Sequence, residues 1–198
     1  MLSSQIKSNE IEFGICNKEL LEEIIFYGLR LGADFVELFI ENSDNTSVLA
    51  EEDSITSVSP SFGRGAGIRI FKDKRDGFVS TNDLSKHGLM RSVSQAIEML
   101  DITNKQNREV FNGLSKHRDY TLSKKTWIDE VPSIHEISEK LLVSNKYLKK
   151  NNKILARKGS YSRNLQEVII ASSDGTYASD IRLHQTVGLN VIASDAQY

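Results

Sequence analysis

Apolar positions recur at helical spacing near the start of the chain. Leu20, Ile24, Gly28 and Leu31 fall on one face between Asn17, a good N-cap, and Gly32, a good stop. The pattern predicts a helix over about Lys18–Leu31, with Glu19, Glu22 and Glu23 where the helix dipole favours negative charge. In "DFVELFIE" the period changes to two, so Val36, Leu38 and Ile40 are expected on the buried face of a strand. "TSVLAEEDSITSVS" keeps strand character and predicts a hairpin turning near Glu52–Asp53. Ile68 and Ile70 alternate with Arg69 and Phe71 in the next strand, and "KDKRDG" is a turn into the strand "GFVST".

Helical spacing returns in Leu89, Val93, Ala96, Ile97 and Leu100. Residues 101–132 are polar and irregular, an excursion that Phe111, Tyr120 and Trp127 are expected to anchor. A third helix follows Pro132, with Ile137, Leu141, Ser144 and Leu148 on its inner stripe. "KILARKGSYS", "LQEVIIAS" and "TYASDIRLHQTVGLNVIAS" read as consecutive antiparallel strands, the last two joined by the tight turn "SDGT". In the last strand Tyr177, Ile181, Leu183, Val187, Leu189, Val191 and Ala193 are expected to face the core. Asp180, Arg182, His184, Thr186 and Asn190 are expected on the opposite face. The pattern predicts an α+β fold, an antiparallel or mixed sheet covered by about three helices.

Composition narrows the functional classes. No apolar run reaches the ~20 residues of a membrane helix, and the polar, acidic N-terminus is not a signal peptide. The single cysteine, Cys16, permits no internal disulfide and suits a reducing, cytoplasmic setting. The net charge of −2 conceals an asymmetry, −9 over residues 1–59 and +7 over residues 60–198. The bulk charge is not basic, which argues against a nucleic-acid partner.

In "SPSFGRGAGIRIFKDKRDGFVST" the close-set Gly63, Gly65 and Gly67 suggest a phosphate loop, but a dinucleotide fingerprint puts a strand before its glycines and a helix after them. Here a strand follows, so Gly63, Gly65 and Gly67 read as a bend or bulge where backbones pass closely. His135–Glu136 lacks the second histidine of a helical zinc site, and Ser133 to Glu136 instead forms a capping box. Cys16, before a helix N-terminus, reads as a packing residue rather than a reactive thiolate. The basic run from Lys140 to Lys158 reads as a solvated face. Asp180, Arg182 and His184 project from one strand face at alternate positions. They can line a groove or stand on a wet, mixed-charge surface.

"ADFVELFIENS", "GRGAGIRIFKDKRDGFVSTNDLS" and "EVIIASSDGTYASDIRLHQTVGLNVIA", in this order and spacing, resemble the N-terminal domain of the TldD/PmbA family, and "SDGTYASDIR" is closer to the TldD branch. The resemblance implies a zinc-dependent peptidase or its metal-free partner subunit, a group once described as modulators of DNA gyrase. It implies that the glycine stretch opens a sheet strand and binds no nucleotide. The family's His-Glu-x-x-x-His pattern belongs to a C-terminal domain, and residues 1–198 contain no counterpart. The expectation is therefore a single N-terminal domain over 1–198 with no catalytic residue, metal ligand or cofactor of its own. Zinc is expected in the C-terminal domain, absent from this chain. The implied partners are a peptide substrate and a TldD/PmbA-type subunit in a homo- or hetero-oligomer, with no membrane. Asp180, Arg182 and His184 become candidates for the substrate cleft. The alternative is a stand-alone interaction module linked to gyrase or nucleic acid.

Overall fold

The computed structural model describes residues 16–103, 111–119 and 131–194; for residues 116–119 only the backbone is described. The elements run α1 (Lys18–Arg30), β1 (Phe35–Glu51), β2 (Ser54–Lys72), β3 (Arg75–Thr81), α2 (Lys86–Met99), β4 (Lys116–Asp119), α3 (Ile134–Leu148), β5 (Ile154–Ser172) and β6 (Thr176–Ala193). Strand order in the sheet is β3-β2-β1-β5-β6-β4. Five strands are antiparallel and β4 joins parallel to β6, so the sheet is mixed and the fold is α+β.

The chain forms two compact units, and β1, β2, β5 and β6 each contribute to both. The first comprises Met1–Asn42, Gly63–Ser123 and Glu167–Ile181, and the second Ser43–Phe62, Lys124–Gln166 and Arg182–Tyr198.

In the first unit α1 starts where Asn17 accepts a hydrogen bond from the Leu20 amide at 2.9 Å. It ends before Gly32, whose φ of 102° suits glycine. Its buried stripe is Leu21, Ile24, Ile25, Gly28 and Leu29. Leu20 and Leu31, expected on that stripe, are partly buried at its margin. Gly28 lies where α1 meets β1: a methyl there would stand 2.8 Å from Val36 Cγ2. Val36, Leu38 and Ile40 are fully buried as the alternation required, with Ile68 and Ile70 of β2. α2 packs on α1 and β3 and buries Leu89, Val93, Ala96, Ile97 and Leu100. β2 and β3 pair through a two-residue turn at Asp73–Lys74, where Asp73 takes φ 55°.

The glycine stretch lies inside β2, and the inward-facing positions switch from odd (55, 57) to even (66, 68, 70) across it, as a bulge requires. β2 runs unbroken from Ser54 to Lys72 through all three glycines. The close approach is real, since methyl groups at Gly65 and Gly67 would fall 3.1 Å from the Thr81 carbonyl and 2.9 Å from the Phe78 ring. The excursion 101–132 needs correcting, because it holds β4, in register with Thr176–Ser179. Phe111 packs on the first unit's core, partly buried; Tyr120 and Trp127 lie outside the described residues. Cys16 is buried, and desolvation raises its thiol pKa, so it acts as a packing residue.

In the second unit α3 begins with the expected capping box. Ser133 accepts from the Glu136 amide and the Ser133 amide donates to Glu136 Oε2 at 2.8 Å. Those bonds hold the Glu136 carboxyl below its usual pKa. Ser133→Ala is expected to lower stability by about 1 kcal/mol in urea unfolding; an unchanged midpoint would refute this cap. α3 buries Ile137, Leu141 and Asn145, packing on Val48 and Ala50 of β1 and Tyr161 of β5. Asn145 replaces the expected Ser144 and Leu148 on the inner stripe, because its amide donates to the Ala50 and Glu52 carbonyls at 3.4 and 3.0 Å. Gly159 lets the helix approach β5, with a position for Cβ 3.2 Å from Leu141.

β5 is one strand of 19 residues where two were expected. The sequence breaks its apolar pattern at Arg163–Asn164, but these polar groups pair laterally, Arg163 with Asp44 and Thr46, and Asn164 with Asn45.

The last strand departs most from the sequence pattern. Val187, Leu189 and Val191, expected in the core, are 65, 49 and 46% exposed. A helix about 10 Å wide covers two or three strands spaced ~4.8 Å apart. The apolar cluster under α3 draws on β2, β1 and β5, and β6 lies one strand further out.

Candidate functional site

The three cleft candidates lie at alternate positions of β6. Asp180 is half-buried and belongs to the first unit, whereas the exposed Arg182 and His184 belong to the second. His184 lines a cavity of about 370 Å³ in the second unit, built by four adjacent strands. β1 supplies Asn45, Thr46 and Ser47, and β2 supplies Ser59 and Ser61. Ser162, Arg163 and Asn164 come from β5, His184 and Thr186 from β6. Alternation puts His184 and Thr186 on the same face of their strand. The β1 and β5 residues arrive opposite each other because the strands pair antiparallel, as the Asn164–Asn45 bond shows.

Arg163 is fixed on the other face of β5, the α3 side that carries Tyr161. Its Nη2 donates to Asp44 Oδ2 and Thr46 Oγ1, each at 3.3 Å, and its side chain is 19% exposed. Its Nε is buried and makes no hydrogen bond. The neighbouring Tyr161 donates its hydroxyl to Gln185 Oε1 at 2.7 Å, and burial raises its pKa. Sequence reading identified His184 alone; the other nine lining residues come from segments up to about 140 positions apart that only strand pairing unites.

Two other sequence candidates, His135 and the basic run, form ion pairs. His135 is 82% exposed and 3.4 Å from Glu139 on its own helix. Of the basic run, Lys149 pairs with Asp53, Lys158 with Glu51, and the buried Arg157 with Glu52. Among the described residues, no group of three or more His, Cys, Asp or Glu side chains is arranged to hold a metal ion. No helix among them is long and apolar enough to cross a membrane.

Fold and site define a class: a mixed α+β sheet protein with a polar, strand-built cavity and no metal centre among its described residues. Within that class the chain belongs to the PmbA/TldD metallopeptidase family. The sequence profile of "PmbA/TldA metallopeptidase domain 1" matches residues 36–100, and that of "PmbA/TldA metallopeptidase central domain" matches residues 128–198, together more than half of the chain. A metalloprotease of Methanocaldococcus jannaschii is 23% identical over 93 residues, 47% of this chain and 20% of that protein. A candidate modulator of DNA gyrase from Bacteroides thetaiotaomicron superposes with a TM-score of 0.67 at 17% identity, over 90% of this chain and 41% of that one. One from Thermotoga maritima gives 0.67 at 13% identity, over 90 and 40%. TldE of Thermococcus kodakarensis gives 0.58 at 17% identity, over 88 and 43%. The chain thus spans about two fifths of these solved relatives and shares their fold.

Proposed function

We propose that these residues form a non-catalytic, substrate-guiding part of a zinc metallopeptidase, which works with a second TldD/PmbA-type subunit and holds its zinc elsewhere. The family's metallopeptidase character supports the reaction class. The observation that carries the guiding role is the outer stretch of β6. Beyond Ser179 no strand pairs with its outer edge among the described residues, and Val187, Leu189 and Val191 stand exposed along it. An extended peptide can add to such an edge through main-chain hydrogen bonds that do not depend on its sequence. Arg182 and His184 stand on the other face of the strand, within reach of the peptide's polar groups, and Asp180 extends that row.

The test is peptide turnover by the whole peptidase carrying Arg182→Ala or His184→Ala, with circular dichroism to check folding. Each variant is expected to lower kcat/KM several-fold, mainly through KM, because the contacts are made before chemistry. Folded variants that both turn over peptide at the wild-type rate would overturn the cleft role. A gyrase-linked interaction module remains the second reading, favoured by the description of the two bacterial structures.

A further inference from the structure

We propose that the outer edge of β6 in the second unit selects extended peptides whose apolar and polar residues alternate, because the edge is itself two-faced and a strand added to it must match both faces. This rests on the peptide-guiding reading but names a substrate class which that reading, built on main-chain bonds alone, does not require.

One face of β6 lies on the α3 side of the sheet. The Tyr161 hydroxyl donates to Gln185 there, and a methyl at Gly159 would stand 3.2 Å from Leu141 Cδ2 of α3 and 3.5 Å from Leu189 Cδ2. The odd positions of β6 therefore share a side with α3. Gln185 is held by Tyr161, so the apolar row begins after it, as Val187, Leu189 and Val191. Leu155 lies on the same side of β5 by alternation, is 64% exposed, and widens the row toward the end of the strand. The even positions stand on the opposite face, where a methyl at Gly188 would meet Ser160 Oγ at 2.8 Å. That face carries Arg182, His184, Thr186 and Asn190, and of its side chains only Ile192, near the strand's end, is apolar.

The backbone decides what kind of segment fits. A helix laid over Val187, Leu189 and Val191 would cover the apolar row but leave the outward N–H and C=O groups of β6 unmatched, whereas a strand answers both. Residues 182–193 contain neither proline nor lysine, which edge strands commonly use to keep other strands away. An added strand sends successive side chains to opposite faces, so a slip of one residue moves its whole apolar set off the row. Cross-strand pairing thus reads the order of apolar and polar residues in the peptide and not only their number.

The test is a titration of the chain followed by the amide resonances of Val187, Leu189 and Val191. Two probes of identical composition are used, acetyl-Lys-Val-Thr-Val-Thr-Val-Thr amide and acetyl-Lys-Val-Val-Val-Thr-Thr-Thr amide. The first can place every valine on the apolar row, and the second must turn at least one away. The alternating probe is expected to bind about fivefold or more tightly, the worth of one partly buried valine. Val187→Thr combined with Val191→Thr keeps the side-chain shape at two exposed positions, and this variant is expected to bind both probes equally. Equal binding of the two probes by the wild type overturns pattern selection and leaves the peptide-guiding reading standing. So does a preference that survives in the double variant. If neither probe shifts these resonances, no strand adds at this edge and the proposal fails, while the turnover test on Arg182 and His184 still decides the guiding role separately.

Discussion

Replacing Gly88 by alanine is expected to destabilise the first unit by about 2–3 kcal/mol, although alanine is the better helix former by roughly 1 kcal/mol. Gly88 lies in the first turn of α2, and its amide donates to the N-cap Ser85 Oγ at 3.1 Å. A methyl at this position would stand 2.2 Å from Asp83 Cγ and 2.5 Å from the Asp83 carbonyl oxygen. Neither can move cheaply. The Asp83 carboxylate accepts from the Ser85 amide at 3.1 Å and the Ser85 hydroxyl at 2.6 Å, and the carbonyl is part of the backbone. Relief requires unwinding the first turn, which carries Leu89 into the core. Urea unfolding of Gly88→Ala beside the wild type measures the cost, and a variant at least as stable as wild type would refute the close contact. Ser85→Ala, losing only the cap, is expected to cost about 1 kcal/mol.

In the second unit Glu52→Gln is expected to cost about 2–3 kcal/mol, because it strands a buried guanidinium. The Arg157 side chain is only 6% exposed and its Nε is buried without a hydrogen bond. Glu52 Oε2 pairs with its Nη2, and Glu52 Oε1 accepts from the Arg157 amide at 2.9 Å. Asp53, at 3.9 Å and half-exposed, is too distant to replace that contact. Glutamine retains an acceptor but not the charge. The comparison is Glu51→Gln, which breaks the Lys158 pair where both side chains are nearly half exposed; it is expected to cost no more than about 1 kcal/mol. Hydrogen exchange of β1 and α3 amides reads both variants in the same unit. Equal, small losses would show that Arg157 does not depend on Glu52.

The sequence by itself determined what is settled within a few residues. Asn17, Ser133 and Gly32 mark helix ends because the cap bonds are local. Val36, Leu38 and Ile40 alternate into the core because the strand period is fixed by the backbone. Asp73–Lys74 and "SDGT" turn where expected because few residues accept their φ values. The order of the quoted segments also carried the family, since spacing along a chain needs no structure to be read.

Only the tertiary structure decided what depends on a neighbour. Polar residues at Asn45 and Asn164 look like loop breaks in isolation, yet each satisfies the other across β1 and β5, so both strands run on. Gly67 sits within an unbroken strand because the Phe78 ring of β3 fills the space beside it. Asn145 is buried because two carbonyls near the end of β1 await its amide. Val187, Leu189 and Val191 carry a core-like alternation but remain exposed, because alternation fixes which face a side chain takes and not whether a helix lies over it. The cavity around His184 was illegible for the same reason. Its donors are distant in sequence and become one site only when four strands are hydrogen-bonded side by side.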